Sequence, residues 1–300
     1  IISIMKNKIL IFTFLYSVNL FSQDIPAKWE ELTASDWFQA LEKSNRTCIL
    51  PLGILEKHGP GVPIGSDLIR VRNWASKAIE EEYAVIFPDY FVGQINEARH
   101  EYGTFSLPNK LVMELLEETT KEIARNGFDK IIIINGHGGN PQMIRYFIQN
   151  QLNEKKDYAV YFFEPNFSEE IKNEILSARK TDPSKDQHAG EREASEILYL
   201  RPDLVKLDRG NNESGENLKR LNLSNNLYTG IWWYSSYPNH YAGDQSFGSN
   251  RLGKIITENT VSYLVDAIRE VKNDSVTIKM QNKFCILHCT YMRGEAPPTS

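Results

Sequence analysis

Short apolar runs alternate along the chain with longer segments in which apolar residues recur at helical spacing. The apolar runs are rich in Ile, Val and Phe and show no polar alternation, which is typical of parallel strands covered on both faces. We predict four such strands, at Thr47–Gly53, Ala84–Pro88, Lys130–Ile134 and Tyr158–Phe163. Strands that alternate with helices favour an α/β sheet.

The helical pattern is clearest in Leu111–Asn126, which has apolar residues on one face. Pro108 precedes this segment and Gly127 follows it, as start and stop signals do. Further helices are predicted at Leu68–Glu82, Pro141–Leu152, Glu191–Leu200 and Leu252–Lys272. The stretch 211–226, rich in Asn, Ser and Glu, is predicted to be a long exposed loop.

The N-terminal segment has the composition of an export signal. Lys6 and Lys8 precede an apolar run from Ile9 to Leu20, which is short for a bilayer span but has signal-peptide length. We expect residues 1–22 to be a cleaved signal peptide. After cleavage the protein would be periplasmic or secreted, with no stable membrane association. The alternative is that the segment is an uncleaved membrane anchor.

Composition places few further limits on function. The 300 residues are 41% hydrophobic and 24% charged, as in soluble globular proteins. A net charge of -5 without a long basic run argues against a nucleic-acid partner. Residues 274–300 form a tail of uncertain structure, for which we favour a disordered extension over a local disulfide or metal site at Cys285, His288 and Cys289. The remaining 23–273 are assigned to one domain.

The first candidate chemical motif follows the first predicted strand. Glu56 and His58 are two residues apart, so on an extended segment their side chains point to the same side. Asp67 comes nine residues after His58, at the start of a predicted helix. A carboxylate there is suited to bridge two cations, although charged residues are also common in ordinary loops.

A second motif, Asn-Gly-His-Gly-Gly-Asn at 135–140, follows the third predicted strand. Three glycines in five positions indicate a backbone forced into a tight bend, which lifts His137 toward a ligand. A glycine-rich turn with an exposed His is the alternative. The Lys-Ser/Thr pair of a nucleotide-binding loop is missing.

The third motif, His-Ala-Gly-Glu-Arg-Glu-Ala-Ser at 188–195, opens a predicted helix. Its imidazole and two carboxylates, His188, Glu191 and Glu193, are suited to hold a metal and to move a proton. Acidic residues are also favoured at any exposed helix N-terminus. Taken together, the three motifs place oxygen and nitrogen ligands at strand ends, which fits Zn²⁺, Mn²⁺ or Fe²⁺.

These stretches resemble the creatininase (creatinine amidohydrolase) family. The similarity lies in LPLGILEKHGPGVPIGSD at 50–67, NGHGGN at 135–140, HAGEREAS at 188–195 and Gly243-Asp244 followed by Gly253, and it extends from about Trp37 to Val271. It implies a single three-layer α/β/α domain with a mostly parallel sheet. It also implies a metal-dependent amidohydrolase that acts on carbon–nitrogen bonds other than peptide bonds and forms homo-oligomers, often hexamers.

The resemblance implies two divalent metal ions bridged by Asp67, with Glu56 and His137 on one metal and His58 on the other. Some relatives place a second Glu in the His-containing loop, where this chain has Gly139. Glu191 is the expected replacement as fifth ligand. His188 is then the acid/base residue, and Glu193 matches the Glu of the family's Glu-Thr-Ser segment, here Glu-Ala-Ser.

The resemblance leaves the substrate open. Trp232 and Trp233 belong to an aromatic cluster that is suited either to wall a pocket for a small amide or to pack at a subunit contact. His100 is interpreted as a surface residue. Relatives with other substrates include deformylase-like enzymes and peptidases, and a non-catalytic scaffold that binds small molecules is a further alternative.

Overall fold

The computed structural model describes residues 25–224 and 226–292. Four parallel strands form one sheet in the order β2-β1-β3-β4. They are β1 (Thr47–Leu52), β2 (Val85–Ile86), β3 (Lys130–Asn135) and β4 (Ala159–Phe163). The predicted parallel α/β sheet is confirmed, and each strand ends within two residues of its predicted bounds.

The helices of the described chain include all five that the apolar pattern predicts, with ends that again agree within two residues. In chain order the helices are α1 (Trp37–Lys43), α2 (Ser66–Glu81), α3 (Asn109–Arg125), α4 (Pro141–Asn150), α5 (Glu169–Ala178), α6 (Glu191–Leu200), α7 (Trp232–Ser236), α8 (Asn250–Asn273) and α9 (Thr277–Met292). The pattern missed α1, α5, α7 and α9. The stretch 213–224 has no helix or strand and is mostly exposed, as expected for the loop predicted there.

The sheet is the middle one of three layers, because successive side chains of its central strands enter opposite cores. On β3, Ile131 and Ile133 pack with α1, α3 and α4. Ile132 and Ile134 pack on the other face with α2 and α8. Both faces are therefore buried, which explains why these strands are continuously apolar.

Two expectations concern the ends of the chain. The segment interpreted as a disordered extension contains α9, whose Cys285 is buried and free. This part of the expectation is corrected: Tyr158 accepts a hydrogen bond from Gln281 of α9 at its backbone carbonyl, so the helix docks on the domain. The proposed signal peptide, 1–22, lies outside the described residues. Within the described ranges, no helix is both long and apolar enough to cross a membrane.

The sheet topology brings two of the candidate motifs to one edge. β1 and β3 are neighbours, so the loops after them begin side by side at the carboxyl ends of the strands. Helix α2 begins at the same place. Gly136 packs so closely there that an added Cβ would lie 2.6 Å from the backbone oxygen of Asp67. A glycine at 136 therefore lets the loop after β3 contact the first turn of α2.

Candidate metal centre

Four predicted ligands meet in a buried cluster at this sheet edge. Glu56 and His58 follow β1, Asp67 lies in the first turn of α2, and His137 follows β3. Asp67 lies between the two imidazoles, with Oδ1 3.4 Å from His58 Nε2 and Oδ2 3.5 Å from His137 Nδ1. A carboxylate in this position can share its two oxygens between two cations.

Backbone carbonyls set the tautomers of the two histidines. Nε2 of His137 lies 2.9 Å from the carbonyl oxygen of Gln94, and Nδ1 of His58 lies 3.1 Å from that of Glu56. Since a carbonyl only accepts hydrogen bonds, each of these nitrogens carries the donated proton. The other nitrogen of each ring, Nδ1 of His137 and Nε2 of His58, faces the carboxylates and is the one free to bind a metal.

The residues present fit divalent cations. Four buried atoms of the cluster have no hydrogen-bond partner, and they are one from each predicted ligand: Glu56 Oε1, His58 Nε2, Asp67 Oδ2 and His137 Nδ1. Unpaired buried polar atoms are costly and therefore rare. Oxygen and imidazole nitrogen are the donor set that zinc and manganese accept.

Opposite charges at short range dominate the electrostatics of the cluster. Burial raises the pKa of Glu56, but the surrounding histidines, His137 foremost, together outweigh it and hold this pKa well below its usual range. The pKa of Asp67 is lowered in the same way by His58. Against burial, Asp67 raises the pKa of His58 to about 9, and Glu56 raises that of His137 well above its usual value. The cluster is thus built to attract positive charge.

Arg70, which the sequence did not single out, supplies a permanent cation beneath the cluster. Its guanidinium is buried and lies 3.0 Å from Asp67 Oδ1, 3.2 Å from Glu193 Oε1 and 3.2 Å from Glu196 Oε1. It also donates to the carbonyl of Gly136. Three buried carboxylates are therefore oriented by one side chain.

A second group of possible ligand atoms adjoins the first. Metal-ligating atoms of His58, His188 and Glu193 lie within 4.8 Å of one another. Glu193 Oε2 is 3.8 Å from His58 Nε2 and accepts a hydrogen bond from the backbone of Ala189 at 2.6 Å. Nε2 of His188 donates to the carbonyl of Lys57 at 2.8 Å, so its Nδ1 faces inward. Burial lowers the pKa of His188 to about 4.

Glu191 does not reach either group, contrary to the expectation that it supplies the fifth ligand. Both of its oxygens are used by the preceding loop, with hydrogen bonds from the backbone of Lys180 at 2.7 Å and of Thr181 at 2.9 Å. Residues two apart on a helix do not share a face, so Glu191 and Glu193 cannot both face the cluster. Glu193, which was expected to match a catalytic position, is the carboxylate that adjoins His58.

The glycines of the second motif also act differently from the expectation. Gly136, Gly138 and Gly139 have ordinary φ values, so the bend does not depend on left-handed backbone. At Gly139, an added Cβ would lie 2.4 Å from Nε2 of His137 and 3.2 Å from Oε1 of Glu97. The glycine therefore makes room for the His137 ring in its bond to Gln94.

His240 is a site residue that sequence reasoning missed. It is buried, and its Nε2 lies 2.6 Å from Glu56 Oε2. It follows α7 in a loop that pairs with the third motif: the backbones of His188 and Ala242 exchange two hydrogen bonds, of 3.0 and 3.1 Å. Only the resemblance at Gly243-Asp244 pointed to this region, and it named no ligand there.

A cleft of about 1000 Å³ adjoins the loop that carries His137, although none of the four ligands themselves line it. Gly138 and Gly139 form its inner wall, and Trp232, Tyr234 and His100 line it from the other side. Trp233 lies behind Trp232 and contacts the ring of His240 at a centroid distance of 5.6 Å. Trp232 thus lines the cleft, and Trp233 contacts the rings of both Trp232 and His240.

Fold and site together define an α/β protein with a buried carboxylate–imidazole metal centre. A family model described as creatinine amidohydrolase matches residues 30–268. The creatinine amidohydrolase of Pseudomonas putida is 25% identical over 191 residues, which are 60% of this chain and 74% of that protein. The mycofactocin precursor peptide peptidase of Mycobacterium ulcerans is 26% identical over 54% of this chain and 61% of its own length, so less than two thirds of the peptidase is matched.

Solved structures show the same fold. A crystal structure of creatinine amidohydrolase superposes with a TM-score of 0.70 at 21% identity and covers 83% of this chain and 99% of its own. A creatininase in a manganese form and a mutant of zinc–zinc type both superpose with a TM-score of 0.68. The chain therefore belongs to the creatininase family of hydrolases that cleave carbon–nitrogen bonds, which confirms the resemblance drawn from the motifs.

Proposed function

We propose that this chain is an amidohydrolase that uses two divalent cations to cleave a C–N amide bond. The observation that carries the proposal is the set of four unpaired buried atoms on Glu56, His58, Asp67 and His137. Ordinary packing leaves few such atoms, and here all four converge on one small space. Without a cation these atoms have only one another as neighbours, with His137 Nδ1 2.7 Å from Glu56 Oε1 and 3.5 Å from Asp67 Oδ2.

The geometry supports a division of the ligands between two positions. Glu56, Asp67 and His137 offer ligand atoms within 4.8 Å of one another and form the first position. His58 and Glu193 would form the second, and the carboxylate of Asp67 would serve both, since Oδ1 faces His58 and Oδ2 faces His137. Glu193 thus takes the role that the sequence assigned to Glu191. Two cations of Zn²⁺, Mn²⁺ or Fe²⁺ type supply an activated water and polarise the substrate carbonyl when bound.

His188 is suited to move the proton that amide cleavage requires. Its Nε2–H is engaged by the Lys57 carbonyl, so Nδ1 is the atom that accepts and releases a proton. Its lowered pKa, about 4, keeps the ring neutral at neutral pH, so Nδ1 has a free lone pair. Its ring lies 4.5 Å from that of His58, beside the second metal position. The departing nitrogen then takes the proton from Nδ1.

The substrate belongs to the amides, and the cleft favours one larger than creatinine. A volume of about 1000 Å³ is at the upper end of small-molecule sites. Its aromatic side, with Trp232 and Tyr234, offers stacking surface beside the polar groups Glu97 and His100. A peptidase-like activity on a short peptide is therefore the second candidate, in line with the peptidase among the relatives.

We also propose that the protein is exported and forms a homo-oligomer, for which the family resemblance suggests a hexamer. Support for export comes from the apolar run between Ile9 and Leu20, and support for assembly comes from the family resemblance. An exported amidohydrolase would act on external amides or peptides rather than on an intracellular precursor.

Metal analysis of the purified protein, with a hydrolysis screen of creatinine, hydantoins, formamides and short peptides, tests the proposal. We expect two metal ions per chain and hydrolysis of at least one of these classes. Asp67→Asn should lose both metals and all hydrolysis, whereas Asp203→Asn, a change of an exposed carboxylate, should lose neither. Ligand binding without hydrolysis in both the parent and Asp67→Asn would instead identify a scaffold.

A further inference from the structure

His240 is held in an unusual conformation at the edge of the metal centre. Its φ is +52°, a left-handed value that is uncommon for a residue other than glycine. Such a conformation is strained and persists where surrounding contacts require it. Here the contacts are the backbone pairing of Ala242 with His188 and two hydrogen bonds to the ring of His240.

The two hydrogen bonds determine which ring nitrogen carries the proton. The indole N–H of Trp233 lies 2.7 Å from Nδ1 of His240. An indole nitrogen can only donate, so Nδ1 must be the acceptor and carries no proton. This excludes both the Nδ1–H tautomer and the imidazolium. The proton is therefore on Nε2, which faces Glu56 Oε2 at 2.6 Å.

His240 is thus the reverse of His58 and His137. In those residues a backbone carbonyl accepts a hydrogen bond from one ring N–H. The other ring nitrogen, which faces the carboxylates, is left free to bind a metal. In His240 the indole N–H of Trp233 donates to Nδ1, so the proton is on Nε2, the nitrogen that faces Glu56. A neutral ring in this state cannot bind a cation through Nε2. Proximity alone suggests a ligand, and the tautomer argues against it.

We propose that His240 is a positioning residue that donates Nε2–H to Glu56 and that Trp233 fixes this tautomer. The bond occupies Oε2, so Oε1, which lies 2.7 Å from His137 Nδ1, is the oxygen that would help to hold the first cation. The inference rests on the proposed metal centre. It also connects the cleft to that centre, because Trp233 contacts Trp232 at a centroid distance of 5.3 Å.

Nitrogen-15 NMR of the metal-free protein with labelled histidine tests the tautomer directly. We expect His240 to be neutral with the proton on Nε2. Trp233→Phe keeps an aromatic ring but removes the donor, so Nδ1 should then become protonated in part or all of the molecules. A proton on Nδ1 in the unmodified protein would overturn the inference, whatever the protein does with metals.

Zinc affinity, measured by competition with a chelator, tests the positioning role. His240→Ala should weaken Zn²⁺ binding by about 10- to 100-fold, as loss of a partner of a metal ligand does. His240→Gln offers an amide N–H to Glu56 and an oxygen to Trp233, so its affinity should stay close to that of the unmodified protein. Equal losses in both variants would mark His240 as a ligand, and no loss in either would remove its role. Failure of the unmodified protein to bind zinc would refute the metal centre, while the NMR result would still decide the hydrogen bond.

Discussion

Glu191 and Glu193 begin the same helix two residues apart, and their carboxylates serve different parts of the molecule. Glu191 accepts hydrogen bonds from the backbone of Lys180 and Thr181. Glu193 accepts one from Ala189 and lies 3.2 Å from Arg70. Since a helix turns about 100° per residue, the two side chains point to different sides. The Glu191 carboxylate holds the loop at Lys180 and Thr181, and the Glu193 carboxylate adjoins the candidate metal centre.

Exchange of these carboxylates for amides should separate metal binding from stability. We expect Glu193→Gln to reduce bound metal from two ions per chain toward one, because the second position loses its anionic ligand. Glu191→Gln should keep both ions but lower the free energy of unfolding by about 1–3 kcal/mol. The amide has a single acceptor oxygen, so one of the two backbone N–H groups loses its acceptor. Metal analysis and denaturant titration measure the two effects. If Glu191→Gln loses a metal ion and Glu193→Gln keeps both, Glu191 rather than Glu193 is the ligand.

Removal of the buried guanidinium of Arg70 should lower the free energy of unfolding, and bound metal should restore part of the loss. Arg70→Met leaves Asp67, Glu193 and Glu196 without their counter-charge, and breaking a buried ion pair costs about 3–5 kcal/mol. Saturating Zn²⁺ should restore part of this loss, because cations replace the missing charge and binding stabilises the folded state. Arg72→Met is the matched control, since Arg72 pairs with partly exposed Glu30 and Asp89 and should contribute about 1 kcal/mol or less. Denaturant titrations with and without zinc compare the variants, and equal losses in both would contradict the role of Arg70.

The glycine at 139 should be required for the position of His137. Gly139→Ala places a Cβ 2.4 Å from Nε2 of His137 and forces the ring off the Gln94 carbonyl. We expect Zn²⁺ affinity to fall by about 10- to 100-fold. Gly138→Ala is the control, because an added Cβ there meets no atom within 4 Å. A chelator competition assay that finds both variants equal to the parent would show that the ring does not depend on this space.

Metal affinity should rise with pH. The metal-free protein holds a proton on His58 because its pKa is raised to about 9 from 6.5, and a cation can bind only the neutral ring. The proton competes with the metal below about pH 9, the competition grows as pH falls, and it disappears as pH rises through about 9. The same proton stabilises the metal-free fold below pH 6.5 and ceases to do so above about 9. Calorimetric titration with Mn²⁺ in buffers of different ionisation enthalpy counts the released protons, and an affinity that is constant with pH would refute this coupling.

Much of the fold could be predicted because its determinants are local. Strands β1 and β3 are buried on both faces and are therefore continuous apolar runs, and α3 has a Pro before it and a Gly after it. The helices that were missed lack these signals. α7 has only five residues, and α9 lies beyond the part of the chain that the motifs cover.

The candidate site could be predicted where its residues lie in short motifs. Glu56 and His137 lie in the loops after β1 and β3, so sheet topology brings these two loops together. Arg70 and His240 join them through tertiary contacts that no short spacing reveals. Arg70 lies on an ordinary helix face, and the position of His240 depends on the pairing of Ala242 with His188. Glu191 was chosen over Glu193 because a motif in one dimension does not show which face of a helix is turned inward.

The guanidinium beneath the cluster has a consequence for the order of events in the life of the protein. Arg70 carries its charge at every ordinary pH, so the carboxylates around it keep a cation nearby before any metal arrives. The chain can therefore fold first and acquire its ions afterwards. If the protein is exported, as proposed, it can take up its proposed ions outside the cell, from whichever divalent ions the surroundings provide.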